Sequence, residues 1–374
     1  MTALFSSVTS DSVRHSRRPA RVRFAVPGIL VLLGVVSLLP TTTLASPLKA
    51  QESPRQVVTL QAGWRFARGE QPEAHRSGFD DSGWETVQVP HDWAIGGPFI
   101  GDGDGNTGKL PWRGQGWYRR DLDVPAAWEG RRVYLIFDGV MAFPRVWVNG
   151  EPAGSWDYGY TSFYLDVTDH LDPGGENLLA VHADTREHDS RWYPGAGIYR
   201  KVRMVAVDPV HVDVWGTHLT TPIVQPHYAQ VRIRTAVRNE APGAEVVTVE
   251  QVILTPEGRV VARGEVGDTL AAGTDAELEV NLALTGPRRW DVDDPVLYTA
   301  RTTLSAGGRV RDVYDTPFGV RTIRFDPDHG FWLNERRLQL KGVNLHHDHG
   351  PLGAAFNPRA MRRKLEIMQS MGAN

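Results

Sequence analysis

The sequence predicts a mainly β protein in which two successive β domains precede a single β/α unit. From about residue 50 onward, short runs rich in Val, Tyr, Trp, Phe and Ile alternate with clusters of Gly, Pro, Asp and Asn, as in a protein built of many short strands. Residues 230–237 alternate with a clean two-residue period, which is typical of a strand with one buried face. The one convincing amphipathic helix comes near residue 360.

Composition limits the classes of function. The 374 residues include 41 Lys+Arg and 44 Asp+Glu, for a formal net charge of -3. A nucleic-acid partner usually requires a basic surface, so we expect none. The chain has no cysteine, which excludes disulfides, zinc–thiolate sites and a cysteine nucleophile. The hydrophobic content of 41% supports packed cores, and the length predicts two or three domains.

The N-terminus has the pattern of a secretory signal. Arginines between residues 14 and 23 precede an apolar stretch from Phe24 to Leu39, and small residues follow it. We predict a signal peptide over residues 1–45, with cleavage after Ala45 or, alternatively, Ala50, and a secreted or periplasmic protein. The uninterrupted apolar core is short against the ~20 residues that span a bilayer, so no stable membrane anchor is expected.

The first β domain is predicted over residues 52–208, as a sandwich or jelly roll. Its clearest strands are Gly116–Val124, Arg132–Phe137, Arg145–Val148 and Asn177–Ala183. The second is predicted over residues 209–320, with the length of an immunoglobulin-like sandwich that lacks the disulfide. Its strands are predicted at Gln230–Val237, Val246–Thr255, Ala276–Ala283 and Ala300–Leu304, with a tight turn at residues 256–258.

The sequence pattern changes in residues 321–374. A hairpin is predicted with its turn near Asn334-Glu335, then a strand over Leu338–Leu345, then a helix with Asn357 as N-cap and Gly372 as C′ residue. One β/α unit cannot bury both of its faces, because parallel strands occur almost only in sheets covered on both sides. We therefore expect the first step of a barrel whose remainder is absent.

Three segments carry candidate binding residues. His91 and Asp92 follow a predicted strand, where hydrogen bonds to backbone within the loop are favoured and a sugar contact is the alternative. Asp189, Arg191 and Trp192 open a glycine-rich loop, where a charged donor beside flat rings suits a sugar, although a packed sandwich corner is an equal alternative.

The third segment, Lys341–His349, follows the barrel-like strand, where the chemistry of such barrels gathers. It holds Asn344 and His346, and its histidines and Asp348 also suggest a metal. Along an extended stretch His346 and Asp348 share a face while His347 points away. Hydrogen bonding to a substrate is therefore favoured over metal binding, and loop capping stays open.

The loop at residues 102–108 contains G-x-G-x-x-G, but no helix follows its third glycine, so a nucleotide site is excluded. Asp102, Asp104 and Asn106 alternate as in a calcium loop. Thr107 and Arg113 replace the glycine and glutamate that an EF-hand requires, so a full EF-hand is excluded. A partial cation site stays open, and a solvated loop is the preferred interpretation.

Taken together, these segments resemble glycoside hydrolase family 2, and its β-galactosidase branch in particular. The motifs that carry the resemblance run in order from about residue 60 to the end: Gly63–Phe66, Pro90–Trp93, Val146–Gly150, Arg191–Arg200, Phe318–Arg321 and Gly342–His349. The resemblance implies a jelly-roll sugar-binding domain (52–208), an immunoglobulin-like sandwich (209–320) and the start of a TIM barrel that is truncated (321–374).

The resemblance also implies a retaining exo-glycosidase that uses two glutamates about 5 Å apart. The acid/base glutamate follows an Asn at the end of a middle barrel strand, and the nucleophilic glutamate lies at the end of a later strand. Neither has a counterpart in this chain. Asn334-Glu335 falls in the hairpin turn and is rejected as the acid/base. We therefore expect the parent enzyme to hydrolyse terminal β-linked sugars and this chain to show no turnover.

What the resemblance carries over is the substrate-supporting part of the site. His346 matches the family histidine after the first barrel strand, and the Arg191-Trp192 loop matches the one that reaches the barrel mouth. Ser190 stands where some members have a sodium-binding aspartate, which puts a sodium site in doubt. The predicted substrate-binding residues are His346, Asn344, Arg191, Trp192, Asp189, His91 and Asp92.

The expected partner is a β-galactoside or a related oligosaccharide, with glucuronides and mannosides as alternatives within the family. A non-catalytic carbohydrate-binding protein is the competing class. Magnesium or sodium in the full-length parent, and its homo-oligomerisation, stay open.

Overall fold

In the computed structural model, which describes residues 54–374, a first β-sandwich is built from antiparallel strands of residues 56–207. Its strands are β1 Gln56–Thr59, β2 Trp64–Arg68, β3 Glu85–Val87, β4 Gln115–Leu122, β5 Arg132–Phe137, β6 Arg145–Val148, β7 Glu151–Ser155, β8 Phe163–Asp166, β9 Asn177–Asp184 and β10 Val202–Val207. One sheet has the order β3-β2-β4-β9-β6-β7 and the other the order β1-β10-β5-β8. This is the jelly-roll layout.

Aromatic side chains fill the space between these two sheets. Trp64, Tyr118, Trp128 and Phe137 are each at most 2% exposed and belong to one continuous core. They come from strands of both sheets or from the short turn at residues 126–128. Burial of large aromatic surface is the main stabilising term of such a sandwich, because no disulfide is available.

A second sandwich follows within residues 210–318. Its strands are β11 Val210–Gln225, β12 Tyr228–Asn239, β13 Glu245–Leu254, β14 Val260–Leu270, β15 Thr274–Thr285, β16 Tyr298–Ala306 and β17 Arg309–Phe318. They form the sheets β11-β12-β15 and β14-β13-β16-β17. The predicted turn at residues 256–258 is confirmed, since Gly258 has a φ of 81° and its N–H donates to Thr255 O at 2.9 Å.

A buried polar chain joins the two sheets of this second sandwich. Gln251 Nε2 donates to Thr235 Oγ1 at 2.9 Å, and Thr302 Oγ1 donates to Gln251 Oε1 at 3.0 Å. All three residues are fully buried. Because each group has a partner, the network fixes how the sheets align without leaving a desolvated polar atom unpaired.

Residues 323–337 form a small three-stranded sheet of β18 Ile323–Asp326, β19 Gly330–Leu333 and β20 Arg336–Arg337. The hairpin prediction is confirmed. Asn334 and Glu335 both have positive φ, 50° and 64°, as a two-residue turn between twisted strands requires. Glu335 lies on this turn, hydrogen-bonded to Thr322 and Arg289.

The helix α1, Pro358–Ser370, begins and ends where the sequence predicts. Asn357 Oδ1 accepts from the amides of Arg359 and Ala360, both at 3.0 Å, and Gly372 follows the last turn with a φ of 91°. Within residues 54–374, no helix is long and apolar enough to cross a bilayer. The predicted signal peptide lies outside the described residues.

The predicted strand over Leu338–Leu345 is wrong. The segment is extended chain without a strand partner in the described part of the protein, and Lys341 and Gln339 instead bond to Asn374. Strand geometry depends on a hydrogen-bonded neighbour, which the apolar pattern alone does not supply. The expectation of a mainly β fold with two successive sandwiches is confirmed.

One face of α1 is apolar and exposed. Leu365 is 55% exposed and Met371 73%, and a cleft of about 770 Å³ separates Leu365 and Met368 from Val343 and Leu345. Apolar surface of this kind promotes association.

We expect the chain to self-associate through this face. Replacing Leu365 and Met368 together by lysine should increase the monomer fraction at a given concentration, because charges oppose burial of the face. Sedimentation velocity measures the monomer fraction. The matched control is Ser370→Lys, which adds the same type of charge on the opposite side of the helix. Equal effects of both changes would contradict a face-specific association.

Candidate functional site

The segment 90–93 crosses one end of the jelly roll beside residues 196–198. His91 N donates to Ile198 O at 2.8 Å, and Trp93 N donates to Ala196 O at 3.1 Å. The His91 ring is half-buried, with Nδ1 2.8 Å from the hydroxyl of Tyr118. This pairing ties the loop to the core, because Tyr118 is fully buried.

Asp92 lies beneath the surface at 4% exposure, with protein donors at both carboxylate oxygens. Oδ1 accepts from the amides of Ala94 and Ala196, at 3.0 and 3.1 Å. Oδ2 accepts from the Tyr193 hydroxyl at 2.7 Å and from Ala354 N at 2.8 Å. A buried carboxylate needs such a set of donors, since an unpaired buried charge is strongly unfavourable.

Residues 188–198, the Trp192 loop, carry a half-buried indole. Trp192 Nε1 donates to the Tyr160 hydroxyl at 3.1 Å, and Ser190 Oγ donates to Trp192 O at 2.8 Å. Gly197 has a φ of 113°, and a Cβ there would collide with the Tyr118 hydroxyl. Glycine therefore lets the loop pass directly over the core.

Residues 344–354, the His346 segment, lie against this loop. The His346 ring is 5.5 Å from the Trp192 ring, centroid to centroid, with 40° between their planes. His347 donates from Nε2 to Pro194 O at 2.8 Å, and its ring packs edge-on against Tyr160. Both rings therefore contact the jelly roll, His346 at Trp192 and His347 at Tyr160 and Pro194.

These contacts create one aromatic cluster, which consists of Tyr158, Tyr160, Trp192, His346 and His347. Ring centroids of neighbours in the cluster are 5.4–6.3 Å apart. Tyr158 is 58% exposed, so the cluster presents rings to solvent. Flat rings beside imidazole nitrogens can stack on the C–H face of a sugar and hydrogen-bond its hydroxyls.

The remaining predicted residues are placed differently. Asp189 and Arg191 are exposed on the Trp192 loop, and the Asp189 carboxylate is 3.3 Å from Arg113. Asn344 is exposed on the His346 segment, while His91 is half-buried and Asp92 is buried. Substrate contact by the seven predicted residues stays a prediction.

Sequence reasoning missed Tyr158 and Tyr160. A signal was present, because Tyr158-Gly159-Tyr160 places two aromatics around a glycine between predicted strands. Gly159 is required there, since a Cβ would approach the Met141 sulfur at 2.7 Å. Because Tyr160 and Trp192 are far apart in the sequence, the sequence pattern alone does not show that they are in contact.

No group of three His, Cys, Asp or Glu side chains within residues 54–374 is arranged to hold a metal ion. In the loop at residues 102–108, Asp104 Oδ1 accepts from Asn106 N at 2.9 Å and caps a short 3₁₀ turn. No helix opens at Gly108, as expected for a loop unrelated to nucleotide binding.

Burial perturbs titration around the cluster. Desolvation lowers the pKa of His347, whose bond to Pro194 O opposes that shift, and desolvation likewise lowers the pKa of His91 and His349. Desolvation raises the pKa of Tyr199 to about 12 and also raises the pKa of Tyr160. The imidazole of His347 and the phenol of Tyr160 are therefore neutral at neutral pH, and both suit an uncharged hydroxyl ligand.

Three family models match consecutive parts of the chain. The "Glycosyl hydrolases family 2, sugar binding domain" matches residues 57–209, "Glycosyl hydrolases family 2" matches 210–321, and "Glycosyl hydrolases family 2, TIM barrel domain" matches 327–374.

Curated relatives agree with these models. The chain is 40% identical to a β-galactosidase of Bacteroides ovatus over 86% of its own length and 38% of that protein. It is 34% identical to a putative β-glucuronidase of Formosa agariphila, over 91% of its length and 32% of that protein. The chain thus spans well under half the length of these relatives.

Solved structures show the same likeness. A glycosyl hydrolase family 2 member of Bacteroides cellulosilyticus aligns with a TM-score of 0.81 at 34% identity, covering 85% of this chain and 42% of that one. A β-glucuronidase of Bacteroides uniformis aligns with a TM-score of 0.79 at 30% identity, covering 86% and 39%.

Acid should destabilise this arrangement. A histidine with a lowered folded-state pKa takes up its proton in the unfolded chain first, so stability is lost as pH falls below the unfolded value of about 6.5. We expect a lower melting temperature at pH 5 than at pH 7.5, and a weaker pH dependence in His347→Gln, whose amide can still donate to Pro194 O. Differential scanning calorimetry measures both. The exposed His227→Gln is the control, and an equal change of slope in the two variants would refute the assignment to His347.

Proposed function

The chain belongs to glycosyl hydrolase family 2, and from that premise we propose that the whole protein is a retaining exo-glycosidase of β-galactosidase type that hydrolyses terminal β-linked sugars. Members of the family are glycosidases. The relatives include both β-galactosidases and β-glucuronidases, so the sugar is the part of the proposal that needs testing.

The observation that supports this proposal is the meeting of Trp192 and His346, at 5.5 Å between ring centroids. One ring is carried by the jelly roll and the other by the segment that the TIM-barrel model matches. A sugar placed here could stack on the indole and hydrogen-bond the imidazole. This is a binding surface assembled by two domains, as many ligand sites are.

The chemistry of a retaining glycosidase divides into two tasks. One carboxyl group protonates the leaving oxygen and a second attacks the anomeric carbon, about 5 Å away. The residues of this chain supply neither group in the aromatic cluster, whose members are Tyr, Trp and His. In the proposed enzyme this chain therefore orients the sugar, since correct positioning by itself contributes strongly to rate.

The export signal is part of the same proposal. The arginines of residues 14–23 and the apolar stretch after them support a secreted or periplasmic enzyme. Determining the N-terminal residue of the exported protein tests the predicted export signal.

We expect the purified chain to bind methyl β-D-galactopyranoside and to release no nitrophenol from the nitrophenyl galactoside. Trp192→Ala and His346→Ala should each weaken binding by about tenfold, which corresponds to ~1.4 kcal/mol. Saturation-transfer NMR with ligand titration measures the affinity. Trp215→Ala is the matched control, because Trp215 is 49% exposed and packs on Tyr164 outside the cluster. Nitrophenol release with host enzymes excluded would contradict the expected inactivity.

A β-glucuronidase is the second candidate function, because the relatives include proteins named as β-glucuronidases. A glucuronide carries a carboxylate, and the exposed guanidinium of Arg191 beside Trp192 offers it a partner.

Comparing Arg191→Gln with the wild type separates the two sugars. If the protein prefers glucuronides, the variant should lose about tenfold in affinity for methyl β-D-glucuronide and little for the galactoside, because only the former is charged. The same NMR titration at two salt concentrations measures it. Tighter wild-type binding of the galactoside, unaffected by salt or by the variant, would support the β-galactosidase assignment.

A further inference from the structure

The two sides of the aromatic cluster come from distant parts of the chain. The Trp192 loop belongs to the jelly roll, and the His346 segment follows the second sandwich. Three hydrogen bonds join the jelly roll to residues 347–356: His347 Nε2 to Pro194 O at 2.8 Å, Phe356 N to Tyr199 O at 2.9 Å, and Ala354 N to Asp92 Oδ2 at 2.8 Å. The relative position of Trp192 and His346 depends on these connections.

The connection at Asp92 differs from the other two, because this one side chain bonds to both the Trp192 loop and the His346 segment. Its carboxylate holds the Trp192 loop through Tyr193 and Ala196 and the His346 segment through Ala354. It is also only 4% exposed. Hydrogen bonds to a buried carboxylate are stronger than neutral ones and are costly to lose, so this junction is the most rigid of the three.

The surrounding backbone is shaped to the carboxylate. Gly195 and Gly353 flank it with φ values of 68° and 64°. A Cβ on Gly195 would lie 3.0 Å from Asp92 Oδ2 and would collide with Ala354, and a Cβ on Gly353 would collide with the same oxygen. Gly353 therefore approaches Asp92, and Gly195 approaches Ala354, more closely than a residue with a side chain allows.

We propose that Asp92 is a positioning residue that fixes the Trp192 and His346 rings relative to each other and does not itself contact the sugar. Both of its oxygens already accept from protein donors, and it is only 4% exposed. The inference rests on the proposed function for its consequence in sugar binding. The fastening of the two segments by Asp92 can be measured without any sugar.

Asp92→Asn is the sharpest test variant. With its amide oxygen in the place of Oδ1, Asn retains the bonds from Ala94 and Ala196, and the Tyr193 hydroxyl can turn to accept. The amide nitrogen then faces Ala354 N, so two donors meet and the connection to the His346 segment is lost. Ala354→Pro removes the same bond from the other side, because proline has no N–H. Tyr193→Phe is the matched control, since it removes one bond within the jelly roll and keeps the one to Ala354.

Amide hydrogen exchange on the purified chain measures the fastening. We expect Asp92→Asn and Ala354→Pro to exchange at residues 346–354 roughly tenfold faster or more, with Tyr193→Phe near the wild type there. Titration with methyl β-D-galactopyranoside, or the glucuronide if that is preferred, should show roughly tenfold weaker binding in the first two variants. Circular dichroism confirms that each variant is folded.

Each outcome decides a different point. Unchanged exchange in both Asp92→Asn and Ala354→Pro overturns the fastening role. Faster exchange with unchanged sugar affinity overturns the positioning role and leaves Asp92 a structural residue. If the wild type binds neither sugar, the proposed function fails and the positioning role in sugar binding fails with it, while the exchange data still decide whether Asp92 joins the two segments. Should Asp92→Asn not fold, Ala354→Pro alone decides the same points.

Discussion

The candidate site depends on the contact between the jelly-roll core and the loops at its end, and Tyr118 is the residue where they meet. Its ring packs in the core, 4.7 Å from Phe66 and edge-on to Trp64, between centroids. Its hydroxyl reaches His91 and lies where only a glycine can pass at position 197. A core of this rigidity transmits its position to the loops above it, because close-packed aromatics leave no room for adjustment.

The junction between the two sandwiches is held by polar groups as well as by packing. Asp312 is fully buried in the second sandwich and accepts from Arg55 Nε at 3.0 Å and from Val212 N at 2.9 Å. The Tyr134 hydroxyl of the first sandwich lies 3.0 Å from His211 Nε2. Each of these groups would be costly to bury unpaired, so they fix the orientation of the domains and not merely their association.

In the candidate site, the buried carboxylate of Asp92 follows the same rule. Asp92 has four donors, and desolvation lowers the pKa of His347. Imidazole and phenol groups beside an indole form a surface suited to hydroxyl-rich ligands. Family membership supports a role of this surface in sugar binding. Trp192 lies in the part of the chain that matches the family's sugar-binding domain, and His346 lies in the part that matches its TIM-barrel domain.

Local patterns were enough to predict much of the fold. Strands β5 and β6 and the start of helix α1 were placed from β-branched and aromatic runs and from the Asn357 cap, because these signals act over a few residues. The turn at Asn334-Glu335 was equally local. The strand expected at Leu338–Leu345 failed, because a strand is defined by a partner that its own sequence does not specify.

The sequence by itself therefore determined the β architecture, the helix with its cap and the segments that carry the family resemblance. Only the tertiary structure decided that Tyr160, Trp192 and His346 form one cluster and that Asp92 bonds both of its sides. The physical reason is that such contacts join residues up to 262 positions apart, and their geometry is set by the packing between domains. No local periodicity or propensity encodes it.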